Sequence, residues 1–194
     1  SSAKSFSGDL TPFYNYKNFL QPNSNIIQNI PVIEGHGGLR PKRFYEIWEE
    51  MMRRGIGFET LRFIGFAGGK YVLTTYNLPP QYLTLKKEFE FYTNLPTIKV
   101  YENKFFTEKA FFVNSAVVVP SEKVIQTMFE KNFVPSYTVV LEEMPFKNYY
   151  AGKGSAAIKR YSQRDIEIEA TSSAGGFLVL TDTFYPCWRV FIDG

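Results

Sequence analysis

The last quarter of the chain has the pattern that most constrains its fold, because apolar and polar residues alternate there with a period of two. In Asp165-Ile-Glu-Ile-Glu-Ala, isoleucines alternate with acids, as expected of an antiparallel strand with one face in solvent. Such strands bury their apolar face against a second layer, which favours a β-rich region resembling part of a sandwich. The alternation occurs in residues 157–161, 165–170, 176–181 and 188–192.

Two earlier segments have helical spacing instead. The residues Phe44, Ile47, Trp48 and Met51 recur at i, i+3, i+4 and i+7, which predicts a helix over residues 43–54. A second apolar stripe, residues 124–129, follows Ser121, a residue type that often caps a helix N-terminus. Residues 58–66 are a further helix candidate. Apolar segments bounded by turn residues predict strands at residues 70–75, 88–93, 97–102, 110–119 and 137–143.

Together these patterns predict an α+β fold, in which a layered α/β N-terminal part precedes an antiparallel β-rich C-terminal part. We expect an extended arm over residues 1–25, an α+β domain over residues 26–145 and a truncated sandwich over residues 146–194. The two helical stripes are expected to cover the strands near Tyr71, Val100, Val113 and Val139 in one core.

The alternation also predicts how the end of the chain packs. In the expected strand 188–192, Trp188, Val190 and Ile192 share one face, which we expect to lie in the core. About four strands fall short of the usual sandwich count of about seven, so one edge of the sheet should stay open. We therefore expect the β-rich part to contact the first part of the chain, with Phe184 and Tyr185 in or near the contact.

Charge and cysteine content exclude several classes of function. The chain has 22 Lys and Arg residues against 19 Asp and Glu residues, a net charge of +3, and the charges are interspersed. This distribution argues against a nucleic-acid partner. With one cysteine, Cys187, and one histidine, His36, the chain can form no internal disulfide and no four-ligand zinc site. No cofactor is predicted, and Cys187 is expected to be a buried, inert thiol beside bulky rings.

Six residues are candidates for binding. The basic residues Arg40, Lys42 and Arg43 lie at the expected start of the first helix and could bind an anion, although ion pairs with Glu46 are the alternative. Tyr149, Tyr150 and Trp188 could stack on a sugar or a partner, although packing against the sheet is the alternative.

No catalytic constellation is recognised in the sequence. The acid pairs Glu49-Glu50 and Glu142-Glu143 are adjacent, so their side chains point in different directions in a helix or a strand. Neither pair alone can form a two-carboxylate site. The Gly-x-Ser-x-Gly pattern of serine hydrolases is absent, and an independent hydrolase fits the sequence poorly.

The segment from Gly176 to Gly194 resembles the C-terminal signature of YfhO-type bacterial membrane proteins. The similarity includes Phe184-Tyr-Pro, Trp188 and the closing Asp193-Gly, with Cys187 where the family usually has glycine. Weaker matches lie upstream, in the same order as in the family. They are a helix start at residues 38–47 that fits the family's glycine followed by Arg-Tyr, the segment Lys70-Tyr-Val, and the strand pair at residues 99–103 and 108–113.

The resemblance implies a place and a role for the chain. Such proteins carry many transmembrane helices and a soluble C-terminal part outside the cytoplasm, and they are similar to polytopic glycosyltransferases. Both chain ends look cut, so we expect a non-catalytic extracytoplasmic piece of such a protein that assists glycosyl transfer to a cell-envelope polymer. Its expected partners are the transmembrane part of its own parent chain and carbohydrate or a lipid-linked sugar. The alternative is a free-standing carbohydrate-binding module.

Overall fold

The computed structural model describes residues 20, 25–26, 30–33, 41–90, 96–145, 152–162, 164–184 and 186–193. The fold is α+β, as the sequence predicts. The chain forms two compact units: Tyr71–Asn103 belongs to the first with Ser1–Leu39, and Arg40–Lys70 belongs to the second with Lys104–Gly194. Residues on both sides of position 145 share the second unit. The predicted parts 1–25, 26–145 and 146–194 stay a prediction.

The first helix, α1 (Lys42–Arg54), confirms the helix predicted from the apolar stripe. Met51 is buried, and the other stripe residues are half-buried. On the polar side, Glu50 accepts two hydrogen bonds from Arg53, at 2.6 and 2.8 Å, and one from Arg54 at 2.5 Å. The hydrogen bonds from Arg53 are the main reason that the pKa of Glu50 falls to about 2. The helix ends at Gly55, whose φ of 70° suits glycine.

The second helix, α2 (Phe58–Phe66), packs through aromatic rings. Phe63 stacks on Phe129 with ring centroids 5.2 Å apart, and Phe58 meets Phe105 edge to face at 5.3 Å. Gly65 permits a close backbone approach, because a Cβ there would lie 2.4 Å from the carbonyl oxygen of Phe105. These contacts join α2 to segments about 40 and 65 residues later in the second unit.

Arg62 is a charged residue in this aromatic region with only 7% of its surface exposed. Its guanidinium donates hydrogen bonds to the carbonyl oxygens of Met128, Glu130 and Lys131 at 3.3, 2.6 and 3.0 Å. The guanidinium carbon also lies 5.2 Å from the centroid of the Phe58 ring. Burial lowers the pKa of Arg62. The three carbonyls compensate the buried charge and tie α2 to the turn after residue 128.

The first unit contains a three-stranded antiparallel sheet in the order β1 (Tyr71–Thr74), β3 (Ile98–Asn103) and β2 (Leu83–Phe89). The predicted strands at residues 70–75 and 97–102 are confirmed. The predicted strand 88–93 is wrong in extent, because β2 begins five residues earlier and pairs with β3 from Leu83 to Phe89 through a bulge.

The described residues of the second unit form three two-stranded sheets. In the first, β4 (Ala110–Val113) pairs antiparallel with β9 (Phe177–Leu180). In the second, β5 (Ser115–Val118) pairs in parallel with β6 (Thr138–Leu141), and the connection contains α3 (Val124–Met128). In the third, β7 (Gly154–Tyr161) and β8 (Ile166–Ser172) form a hairpin. Contact between the two predicted halves is confirmed by the β4–β9 pairing.

Three predictions about these strands and helices are wrong. Residues 110–119 are not one strand, because β4 and β5 pair with different partners on either side of Asn114. The strands expected to share one core are divided between the two units, because those near Tyr71 and Val100 lie in the first unit and those near Val113 and Val139 lie in the second. Ser121 is not a helix cap, because it lies inside a short 3-10 turn after Pro120 and its hydroxyl accepts a hydrogen bond from Arg43 instead.

Phe112 of β4 packs between two glycines, Gly154 at the start of β7 and Gly176 just before β9. A Cβ on Gly154 would lie 2.5 Å from the Phe112 ring, and one on Gly176 would lie 1.9 Å from it. Only a residue without a side chain fits at either position while the ring stays in place. This packing joins the β7–β8 hairpin to the β4–β9 pair.

Candidate functional site

The basic residues predicted at the start of α1 have separate environments. Arg43 forms an ion pair with Glu142 and donates a hydrogen bond to the Ser121 hydroxyl at 2.9 Å. Lys42 is exposed, with its Nζ 3.7 Å from a carboxylate oxygen of Glu46. The ion-pair interpretation therefore holds for both residues, although the partner of Arg43 is Glu142 rather than Glu46. Arg40 lies outside the described residues.

A depression of about 430 Å³ lies beside the ion pair of Arg43 with Glu142. Its lining has two basic and two acidic residues. Because Arg43 is already paired with Glu142, an incoming anion would compete with a carboxylate for the guanidinium. Anion binding at this place stays a prediction. The depression is lined by Lys42, Arg43, Glu46, Ser121, Glu122 and Ile125.

The aromatic candidates are only partly described. Tyr149 and Tyr150 lie outside the described residues, as does Tyr185. Trp188 is half-buried, and it does not begin a strand, because residues 188–192 form none. The prediction of a core-facing strand is therefore wrong. The prediction of a buried thiol is also wrong, because Cys187 is exposed.

The segment from Pro186 to Ile192, called here the C-terminal apolar segment, presents large side chains to solvent. Val190, Phe191 and Ile192 are 87%, 75% and 84% exposed. Phe184, just before the segment, is 72% exposed, so its side chain is not buried in the contact between the halves, and its position near that contact stays a prediction. In an extended chain, consecutive side chains point in opposite directions. Full burial of these three residues would therefore need contacts on both sides of the chain.

A cluster of Lys109, Tyr161 and Asp182 holds the chain just before this segment. The Lys109 Nζ lies 2.7 Å from one oxygen of Asp182 and 3.2 Å from the Tyr161 hydroxyl, which donates to the other oxygen at 2.6 Å. Burial opposes the charge on Lys109, but the hydrogen bonds to Asp182 and Tyr161 outweigh it and raise the pKa. Burial and the bond to Asp182 also raise the pKa of Tyr161.

This cluster has the geometry of an anchor rather than that of a catalytic base. A raised tyrosine pKa disfavours the phenolate, and the carboxylate is already bonded by both partners. The cluster joins three places in the fold: Tyr161 ends β7, Lys109 is the residue before β4, and Asp182 is the second residue after β9. Sequence reasoning missed the cluster because its residues are far apart in the chain and share no local motif. Lys109 is 52 positions before Tyr161 and 73 before Asp182, and Tyr161 is 21 positions before Asp182.

Two further findings concern the described part of the chain. It contains no group of three or more His, Cys, Asp or Glu side chains arranged to hold a metal ion. Its longest helix, α1, has 13 residues, and none of the helices is both long and apolar enough to cross a bilayer. Comparison of the chain with protein-family models, with curated proteins and with solved structures gives no match.

Proposed function

We propose that this chain is a non-catalytic, extracytoplasmic docking domain of a polytopic membrane protein that assists glycosyl transfer to a cell-envelope polymer. The proposed partner is the transmembrane part of its own parent chain. The sequence resemblance to YfhO-type proteins supports this assignment. The observation that carries it is the C-terminal apolar segment, which the second unit leaves in solvent.

The energetics of this segment favour a docked state. Burying a large aliphatic or aromatic side chain contributes about 1.5–3 kcal/mol relative to exposure. Three consecutive side chains of this kind are exposed, and wherever the segment is extended its neighbouring side chains point in opposite directions. A partner that encloses the segment therefore gains more than one that covers a single face.

The non-catalytic part of the proposal comes from the sequence, in which no catalytic motif is recognised. The cluster of Lys109, Tyr161 and Asp182 is internally paired by hydrogen bonds. We expect the purified 194-residue chain to turn over neither a lipid-linked sugar nor a nucleotide sugar. Turnover that disappears when one of its carboxylates is replaced would contradict the proposal.

Cys187 provides a direct test of docking, because it lies in the C-terminal apolar segment and is exposed. The test compares the rate of maleimide labelling at Cys187 in the purified 194-residue chain and in the parent protein in membranes, with the labelled peptide quantified by mass spectrometry. We expect slower labelling in the parent protein. Denaturing the parent should restore the rate, which controls for reagent access.

A matched pair of variants sharpens the test. In the parent protein, Phe191→Asp should raise the labelling rate of Cys187 towards that of the purified chain, because a charge opposes burial of the segment. Tyr71→Asp replaces an exposed aromatic residue in the first unit and should leave the rate unchanged. Equal labelling of Cys187 in the purified chain and the unmodified parent would overturn the docking proposal.

A further inference from the structure

A second depression, of about 320 Å³, lies in the second unit between β5 and the turns that connect α3 to β6. This volume is at the lower end of the range for small-molecule sites, and it suits one ring-sized ligand. Its lining combines apolar and uncharged polar side chains with a single carboxylate. The lining residues are Val117, Thr127, Glu130, Asn132, Phe133, Val134, Tyr137 and Thr138.

Backbone hydrogen bonds fix the shape of this depression. Successive turns are closed by bonds from the Phe133 amide to the Glu130 carbonyl at 3.2 Å, and from the Tyr137 amide to the Val134 carbonyl at 3.0 Å. The Glu130 carbonyl also accepts the 2.6 Å hydrogen bond from the buried Arg62. A site held in this way loses little conformational entropy when a ligand binds.

Aromatic and polar groups are placed side by side in the lining. Phe133 is buried and contributes an apolar surface to the lining, whereas Tyr137 is 66% exposed, so most of its ring is accessible to a ligand. The hydroxyl of Thr127, the carboxylate of Glu130 and the amide of Asn132 have no hydrogen-bonding partner among the residues that the structure describes. These side chains can therefore bind a ligand without first breaking a bond within the described protein.

This combination favours one class of ligand. A pyranose ring has an apolar C–H face that packs on an aromatic ring, and hydroxyl groups that both donate and accept hydrogen bonds. Asn132 can donate and accept, whereas Glu130 accepts only. The single carboxylate disfavours an anionic ligand.

We propose that this depression, called here the Tyr137 pocket, binds one neutral pyranose ring of a cell-envelope glycan. The choice of a sugar among neutral ring-shaped ligands rests on the proposed function. In this arrangement the sugar packs on Tyr137, and its hydroxyls bond to Asn132, Glu130 and Thr127. The pocket is separate from the C-terminal apolar segment, which is proposed to dock on protein.

The test is an NMR titration of the isotopically labelled 194-residue chain with methyl glycosides of a neutral hexose and of an N-acetylhexosamine. We expect saturable shifts of amide signals within residues 127–138 for at least one glycoside. Sorbitol, an open-chain polyol without a ring face, should produce no saturable shift there. Saturable shifts only outside this region would overturn the proposal.

Two tyrosines provide a matched pair of variants. Tyr137→Ala should weaken glycoside binding by about fivefold to tenfold, the loss expected when one aromatic contact is removed. Tyr76→Ala removes a tyrosine of the first unit whose exposure is similar, at 73%, and should leave the affinity unchanged. Tyr137→Phe keeps the ring and should bind within about twofold of the unmodified chain. Together with a check that Tyr137→Ala is folded, this variant separates loss of the aromatic contact from a folding defect.

The outcomes separate this proposal from the docking proposal. Absence of saturable shifts with both glycosides, equal shifts with sorbitol, or unchanged binding by a folded Tyr137→Ala chain would each overturn the sugar pocket. Slow labelling of Cys187 in the parent protein would then still support docking. Saturable glycoside binding with equal Cys187 labelling would support the pocket and overturn docking.

Discussion

Strand β8 and residues 188–192 both have apolar residues at alternate positions, yet only β8 is a strand. Every residue of β8 lies opposite a residue of β7, since the bulge falls at Lys159 of β7, and Ile166 and Ile168 are half-buried. In residues 188–192, Val190 and Ile192 stand almost fully in solvent. Alternation shows which face a strand would bury. The strand itself forms only where a neighbour accepts its backbone hydrogen bonds.

The largest effect is expected where the paired strands pack most tightly. Gly176→Ala would place a Cβ 1.9 Å from the Phe112 ring and should lower the free energy of unfolding by about 3 kcal/mol, the upper range for overpacking. Chemical denaturation measures the change. Gly57→Ala, where a Cβ meets only a side-chain oxygen at 4.0 Å, is the control and should cost less than about 1 kcal/mol. Equal losses would show that the Phe112 contact is not tight.

A pair of isoleucine variants tests the comparison directly. Ile168→Asp places a charge on the half-buried face of β8 and should cost about 2 kcal/mol. Ile192→Asp changes a side chain that is already in solvent and should alter the free energy of unfolding by less than about 0.5 kcal/mol. Denaturation of both purified variants distinguishes them. A comparable loss in Ile192→Asp would mean that residues 188–192 pack on the chain in solution.

Trp188 lies between these extremes, because its ring is half-buried. A fully buried tryptophan replaced by alanine costs about 3–5 kcal/mol, so Trp188→Ala should cost about 1–2 kcal/mol. Thermal unfolding of the variant is the measurement, with Trp188→Phe as the conservative control. A loss in the fully buried range would place the ring in the core and would weaken the distinction between β8 and the C-terminal apolar segment.

The smallest effect concerns the cluster that ends the paired region. Tyr161→Phe removes the hydrogen bond that the hydroxyl donates to Asp182 and the one that it accepts from Lys109, and it should cost about 0.5–1 kcal/mol, since the cluster is partly exposed.

The pH dependence of this cluster follows from the direction of the pKa shifts. The pKa values of Lys109 and Tyr161 are both raised on folding, so their contribution is complete below the ordinary values of about 10 and is lost as pH rises through the folded values. The unmodified chain should therefore lose stability in alkali more steeply than Tyr161→Phe. Parallel curves of unfolding free energy between about pH 8 and 11 would contradict this assignment.

Sequence reasoning succeeded where the evidence was local. The stripe of α1 and the alternation of β8 each depend on residues within one element, and both elements formed. The apolar run 110–119 was predicted as one strand because its hydropathy is continuous. Its two halves instead pair with different strands that are distant in the chain, Phe177–Leu180 and Thr138–Leu141. Pairing partners of this kind leave no local signal.

The candidate sites depended on long-range contacts in the same way. The sequence placed Arg43 at a helix start, but its partner Glu142 lies 99 residues away. The Tyr137 pocket was not predicted either, because most of its lining comes from turns with no sequence period. Exposure of Cys187 could not be predicted, because the type of residue alone favours burial.

The Arg62 contact sets an order of events for folding. The helix α3 has five residues, too few to persist alone in water, and the carbonyls at and after its end are held by a guanidinium 66 to 69 residues earlier. The chain must close this long loop before the turn is fixed, so the segment around residues 124–131 is expected to order late. Once formed, its amides should exchange with solvent mainly when the second unit opens as a whole.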